Sequence, residues 1–514
     1  MKKIIYIFGV IFLAIIIILN LIFTTYLDPA EETIISFNSA SYIIGLIAAG
    51  ILMVAATKFI NDKLYKDEQS KKLKIIRKSL FITALVIYIA FNVVWTIFVN
   101  PPVVADSIHV SNLAQTMYRG NPEEFLPNLT YIGIPLSEYI QAYPQQISLA
   151  FIYSLFFRLI QFDVLETLRV LNVIGNLLIV IALYKIGNQL AKKYKTNKVL
   201  LLTLILTFIS LPMLSTFIYG DIPSIALCLF AVYFMMRYTE TKKIRFAVGA
   251  SIFTMIAYMM RMNSLIFIIA TVMYLVLNLI NGFMKKELKE NLINVGVIIV
   301  YLVVSMIPAT LVQNYYLDKY DLEKDKRYPS ISYFFMGMEE SRRGNGWYNE
   351  DIAEPALKDP EMAKNEYGNR IKEKLSYFIS QPGYTFNFYV MKIASMWTEN
   401  TYSAVRSNQD GTDMPIENMT GALTFYQKML LIITCLCSLI VMIQNRKNLS
   451  LDVLFLITIF IGGFAFHVLW EAKSRYIIPY ILVLIPVASI YINNLEIKEK
   501  IMKIYNKKNE RNLN

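Results

Sequence analysis

"YPQQISLAFIYSLFFRLIQFD", residues 143–163, is apolar enough to enter a membrane, and whether it crosses fixes the side on which everything after it lies. Apolar runs of about 20 residues, the length a helix needs to span hydrocarbon, recur on both sides of it. Thirteen candidate spans can be drawn: 4–26, 41–59, 79–99, 144–161, 169–190, 199–217, 222–238, 246–262, 263–281, 291–312, 425–443, 450–470 and 474–493. The loop charges object to thirteen.

With Met1 inside, "LDPAEET" (27–33) is outside and carries no Lys or Arg, and the strongly basic "KFINDKLYKDEQSKKLKIIRK" (58–78) is inside. If 144–161 then crossed, "KKYKTNK" (192–198), "RYTETKKIR" (237–245), "KKELK" (285–289) and the tail "KEKIMKIYNKKNER" (498–511) would all fall outside. Each would break the positive-inside rule. If the stretch stays at the outer surface as an interfacial or re-entrant helix, all four become cytoplasmic. Its Pro144, its two glutamines and Arg158 suit that placement. The expectation is therefore about twelve spans with both termini cytoplasmic.

Composition agrees. The 514 residues are 56% hydrophobic and 17% charged, where a soluble chain carries roughly a quarter charged residues. The fold class is all-α, a polytopic protein of the cell membrane. The net charge of +12 is the expected excess of basic inner loops and does not argue for nucleic acid. The basic N-terminus leads into an apolar run too long for a signal peptide, so it reads as a retained first span. Cys228, Cys435 and Cys437 all lie in apolar segments and indicate neither a disulfide nor a zinc site.

The chain divides into 1–78 (two spans and a basic loop), 79–312 (a transmembrane module with a first outer loop at 100–168), 313–424 (a large polar extracytoplasmic loop), 425–493 (three spans) and the basic tail 494–514. Within the large loop, "EMAKNEYGNRIKEKLSYFI" reads as a charged helix, and "PGYTFNFYVMKIASMW" as an interfacial one that carries Lys392.

A charge near the hydrocarbon costs at least a few kcal/mol at mid-bilayer, so its placement is informative. Asp106, His109, Asp221, Arg261, Asn263, His467, Glu471, Lys473 and Arg475 all fall at span ends on the outer side of this topology. Each alone has an ordinary reading. Asp106 and Asp221 suit helix starts, Arg261 suits a snorkelling cation, and Glu471 with Arg475 suits an i,i+4 pair beside the interfacial Trp470 and Tyr476. What sets them apart is that all share one face.

"ADSIHVSNLAQTMYRG" (105–120) resembles the start of the first outer loop in GT-C glycosyltransferases. The likeness is to the branch that contains protein O-mannosyltransferases and lipid A aminoarabinose transferases. Asp106, His109, Ala114 and Gly120 fit that spacing, while Ser107 stands where the family usually has Glu. The stretch at 143–163 resembles the family's proline-containing juxtamembrane helix, which does not span. "FIYGDIPSIAL", "MIAYMMRMNSL" and "SRYIIPYILVLIPV" resemble later outer turns and the Arg-Tyr-x-x-Pro span.

The resemblance implies transfer of a sugar from a polyprenyl-phosphate donor to a cell-surface acceptor (protein, glycolipid or wall polymer) by an inverting displacement at the outer face. For that chemistry Asp106 is the candidate base, Asp221 orients the acceptor or shares a proton with Asp106, and Arg475, Arg261, Lys473 and His467 are the candidates for the donor phosphate. His109, Glu471 and Asn263 support them. Metal independence is expected, because the second acid of the motif is missing and no Asp-x-Asp stands nearby. Two alternatives belong to other classes: a transporter or flippase of a lipid-linked saccharide, which places its ionisable residues at the midplane, and a non-catalytic accessory protein that binds through the large loop.

Overall fold

The computed structural model describes residues 1–67, 69–104, 106–120, 135–160, 164–284, 288–409 and 415–491. The basic tail and most of the "KKELK" turn lie outside the described residues. Among the described residues, ten helices are long and apolar enough to cross a membrane: Lys2–Ile22, Ala40–Leu64, Lys71–Phe98, Leu165–Leu190, Lys198–Thr216, Asp221–Thr241, Met262–Phe283, Asn291–Lys319, Ile416–Gln444 and Leu451–Leu469. The shorter Ile244–Met260 joins them. A broken segment, made of Ser474–Ile477, Ile478–Leu482 and Leu484–Ala488, makes the last pass. That final run was expected as one helix. Pro479 and Pro486 each remove a backbone donor and divide it. Its residues are almost all buried, so neighbouring helices rather than lipid surround the irregular backbone.

The helices 2–22, 40–64 and 71–98 bury only 33%, 11% and 17% of their apolar windows, whereas 198–216 and 416–444 bury 67%. The first three are thus a lipid-facing rim, rich in outward Ile and Leu, around a protein-packed centre. Polar side chains join spans within the bundle: Asn176 Nδ2 donates to Asn92 Oδ1 at 2.7 Å and to the Leu211 carbonyl at 3.0 Å. Helix 71–98 starts earlier than the expected span at 79, because the basic residues that end the apolar stretch are themselves good helix formers.

The stretch that opens the sequence question folds as Gln145–Leu159, 15 residues, with Pro144 just before it. It does not cross. Helix 71–98 delivers the chain to one end of the bundle, and Arg169, in the first turns of the next span, donates to the Pro101 carbonyl at 2.9 Å. The segment therefore leaves and re-enters at the same end. Ser148 and Gln313 hydrogen-bond each other at 3.0 Å there, against the last turns of helix 291–319. The opposite end gathers the basic loops. Lys192 pairs with Glu240, Lys193 pairs with Asp452, and the Tyr491 amide donates to the Lys195 carbonyl.

Two features depart from a purely helical picture. The first span continues into an antiparallel hairpin, Phe23–Leu27 against Thr33–Phe37, and Glu340–Ser341 pairs with Gly344–Asn345. The large loop is otherwise helical: Ser330–Met336, Glu350–Lys358, Pro360–Ser380 and Pro382–Trp397. The last two are the charged and interfacial helices read from the sequence. Buried Lys392 fastens this loop to the bundle, donating to the carbonyls of Gly337 (2.5 Å) and Trp470 (2.8 Å).

Candidate active site

Asp106 opens helix Asp106–Arg119. Its two carboxylate oxygens each accept a phenolic hydroxyl at 2.9 Å, Oδ1 from Tyr139 and Oδ2 from Tyr219. Each carboxylate oxygen thus has one phenolic donor and keeps lone pairs free to accept another. Burial, with Asp106 adding to it, pushes both phenols well above their ordinary value, so they stay protonated as donors. No cation lies within ion-pairing distance of Asp106 among the described residues.

Tyr219 is placed by a tight turn. Gly220 follows it with φ +79°, and a Cβ there would meet Leu149 at 2.8 Å and the Met260 carbonyl at 3.2 Å. Gln146, in the first turn of the non-crossing helix, donates its side-chain amide to the Tyr219 hydroxyl. The stretch 143–163 is thus held at this end partly by the site itself.

The turn then delivers Asp221 to the start of helix 221–241. Asp221 Oδ1 lies 3.2 Å from Arg261 Nε, and Oδ2 lies 3.6 Å from Arg475 Nε. The second distance is an ion pair without a hydrogen bond. The Arg261 guanidinium sits 4.3 Å over the Tyr219 ring, and that of Arg475 sits 3.9 Å over Phe217. A cavity opens between them, lined by Asp221, Ser224, Arg261, Asn263, Arg475 and Tyr476 among others. It presents two guanidinium groups for one carboxylate, a net positive pocket beside an unpaired negative one. Phosphate is the kind of anion such a fork of donors fits.

Asp106, Asp221, Arg261, Asn263 and Arg475 therefore come together. The remaining sequence candidates sit around them. His109 is buried against Tyr139, rings stacked at 3.7 Å and 4°, and burial lowers it to about 4, so it is neutral. His467 is buried behind Tyr476 and Tyr480, at 5.6 and 5.8 Å, with neither ring nitrogen hydrogen-bonded. The i,i+4 pairing of Glu471 with Arg475 does not form. The chain is extended at Trp470 and Lys473, so no helix aligns the two, and Arg475 turns to Asp221. Burial pushes Glu471 up to about 7.

Lys473 lies 3.3 Å from Glu31, an acid of the hairpin that follows the first span, and Arg343 from the large loop meets the same carboxylate at 2.7 Å. These cations, Lys473 first, hold Glu31 down at about 2. Sequence reasoning missed Tyr139, Tyr219, Gln146 and Glu31. For Tyr219 a signal existed in its place directly before the Gly220-Asp221 turn.

Residues 145–308 match the family model described as dolichyl-phosphate-mannose-protein mannosyltransferase. The match covers about a third of the chain and takes in the non-crossing helix, Asp221, Arg261 and Asn263. No curated protein matches the chain in sequence. Among solved structures, the chain resembles the oligosaccharyltransferase AglB of Archaeoglobus fulgidus in complex with an inhibitory peptide and a dolichol-phosphate. Identity is 13% and the TM-score 0.42, over 80% of this chain and 50% of that one. The apo form of the Archaeoglobus fulgidus enzyme gives 14% identity, a TM-score of 0.42 and coverage of 79% and 50%. ArnT of Cupriavidus metallidurans bound to undecaprenyl phosphate gives 10%, 0.31, and coverage of 79% and 77%. The chain spans about half the length of the archaeal enzyme.

Proposed function

We propose that this protein is a glycosyltransferase that moves a sugar from a polyprenyl-phosphate carrier to an acceptor hydroxyl at the extracytoplasmic surface. The observation that carries the reading is that Tyr219 joins the Asp106 carboxylate to Arg261, which lines one cavity with Arg475. Asp106 takes the proton of the acceptor hydroxyl as its oxygen attacks the anomeric carbon. The bond from that carbon to the phosphate oxygen breaks with inversion, and the polyprenyl phosphate leaves as an anion. Arg261 and Arg475 meet the charge that develops on it.

Asp221 is bound on both oxygens by guanidinium groups. Its role in this reading is to aim the arginines rather than to share a proton with Asp106. Lys473, held by Glu31, and His467, enclosed by aromatics, contribute to the surroundings of the phosphate pocket rather than to its first contacts. The gathering of basic loops at the opposite end supports an extracytoplasmic site under the positive-inside rule. A carrier embedded in the bilayer reaches the cavity from the side, and the acceptor comes from the aqueous side where the large loop sits.

The ionisable residues cluster at one boundary and not at mid-bilayer, which favours transfer over transport. The test is to profile surface glycans and lipid-linked sugars in a strain lacking the gene. Loss of one glycosylated product with build-up of its lipid-linked donor is expected, restored by the wild-type gene and not by Asp106→Asn. Full restoration by Asp106→Asn would refute the assignment.

A further inference from the structure

We propose that Tyr219 is the positioning residue that couples the two halves of the site, fixing the acceptor-side carboxylate against the donor-side anion pocket; this rests on the transferase reading above. One side chain touches both halves. Its hydroxyl donates to Asp106 Oδ2 at 2.9 Å, and its ring face carries the Arg261 guanidinium at 4.3 Å. The direction of the hydrogen bond is set by Gln146, whose side-chain amide nitrogen can only donate. The phenol oxygen accepts there, so its own proton points to Asp106.

Tyr139 makes the natural contrast. It donates to the other Asp106 oxygen at the same 2.9 Å, but its ring stacks on neutral His109 and carries no cation. The two tyrosines share one function toward Asp106 and differ in what their rings hold. The hydroxyl of Tyr219 governs catalysis, its ring governs donor binding, and removing them separately divides the two. Of the two tyrosines that hydrogen-bond Asp106, Tyr219 is the one whose ring also carries an arginine of the pocket.

The test uses the full chain in lipid nanodiscs, with undecaprenyl phosphate as the binding probe. Transfer is read in membranes of the deletion strain, from labelled polyprenyl-phosphate-linked sugars to the endogenous acceptor. Tyr219→Phe is expected to lower the transfer rate by about 10–100-fold, as for a hydrogen bond to a charged group, with the Kd for the lipid phosphate within about twofold. Tyr219→Leu is expected to lower the rate similarly and also raise that Kd by about 5–30-fold, through loss of the ring beneath Arg261. Tyr139→Leu is expected to lower the rate and leave the Kd unchanged.

Wild-type transfer in Tyr219→Phe, or a wild-type Kd in Tyr219→Leu, overturns the proposal. If Tyr219→Leu fails to fold, Gln146→Leu with Tyr219→Phe carries the test: both are expected to slow transfer at constant Kd, and an unchanged rate in both sinks the idea. Wild-type protein that neither binds the lipid phosphate nor transfers would refute the transferase reading, and this inference with it.

Discussion

Two aspartates of this molecule, one at each end of the bundle, accept a hydrogen bond from a buried tyrosine, and they come to opposite ends chemically. Asp452 accepts from Tyr274 at 2.6 Å and is paired with Lys193 at 2.7 Å. Its charge is answered. Asp106 accepts from Tyr139 and Tyr219 and pairs with no cation among the described residues, while Arg261 and Arg475 are held around Asp221. A tyrosine-aspartate contact alone is therefore no mark of function. What distinguishes the site is charge left unanswered: a carboxylate without its cation, and guanidinium groups outnumbering their carboxylate next to open space.

The comparison can be broken by treating both ends alike. Asp106→Asn is expected to cut transfer by about 10²–10⁴-fold, the range for losing a positioned general base, with the protein still folded in the membrane. Near-normal transfer would put Asp106 in the same structural class as Asp452. Next in size, Arg475→Gln is expected to weaken undecaprenyl phosphate binding by about 10–100-fold through loss of a charge-assisted contact. Asp452→Asn should do the reverse of both: it leaves Lys193 without its partner and lowers thermal stability by about 1–3 kcal/mol, while transfer per folded molecule is unchanged. A large loss of transfer in that variant would erase the distinction between the ends.

The smallest effects concern the ionic junction near the site, and they have opposite signs in pH. Glu31 is held at about 2, below its ordinary 4.5, by Lys473 and Arg343. Its stabilisation is present above about 4.5 and is lost as pH falls toward 2. Glu31→Gln should lower stability at neutral pH by about 1–2 kcal/mol, discounted for its partial exposure. Glu471 is raised from 4.5 to about 7 by burial. Its contribution is present below 4.5 and is lost as pH rises through 7. Glu471→Gln should therefore flatten the stability profile between those values. Melting curves from pH 4 to 8 of the two variants, which should depart from wild type in opposite directions at pH 7.5, check both.

Much of this could be read before any coordinates. The refusal of 143–163 to cross followed from four basic loops that had to share a side, a constraint that adds up along the chain and does not depend on the geometry of any one residue. That Asp106, Asp221, Arg261 and Arg475 gather at one end of the bundle was legible from the same topology, which put all four on one face. The tyrosines were not legible. The chain has 34 of them, and an amphipathic ring belongs at any membrane boundary, so nothing marks Tyr139, and Tyr219 is marked only by its place before the Gly220-Asp221 turn. Nor was the Lys473–Glu31 pair, which joins residues more than 400 positions apart through a hairpin that charge and hydropathy do not announce. Helix-like spacing suggested Glu471 for Arg475. The backbone leaves the helix just there, and the cation went to a carboxylate from another span.

The most direct test of the central claim, that one carboxylate and one arginine cavity form a single active centre, is to measure undecaprenyl phosphate binding and sugar transfer side by side in nanodiscs for wild type, Asp106→Asn and Arg475→Gln. The account predicts that Asp106→Asn binds the lipid phosphate as wild type does and transfers about 10²–10⁴-fold more slowly, while Arg475→Gln fails first in binding. Near-normal transfer without the Asp106 carboxylate, or lipid binding indifferent to Arg475, would contradict it.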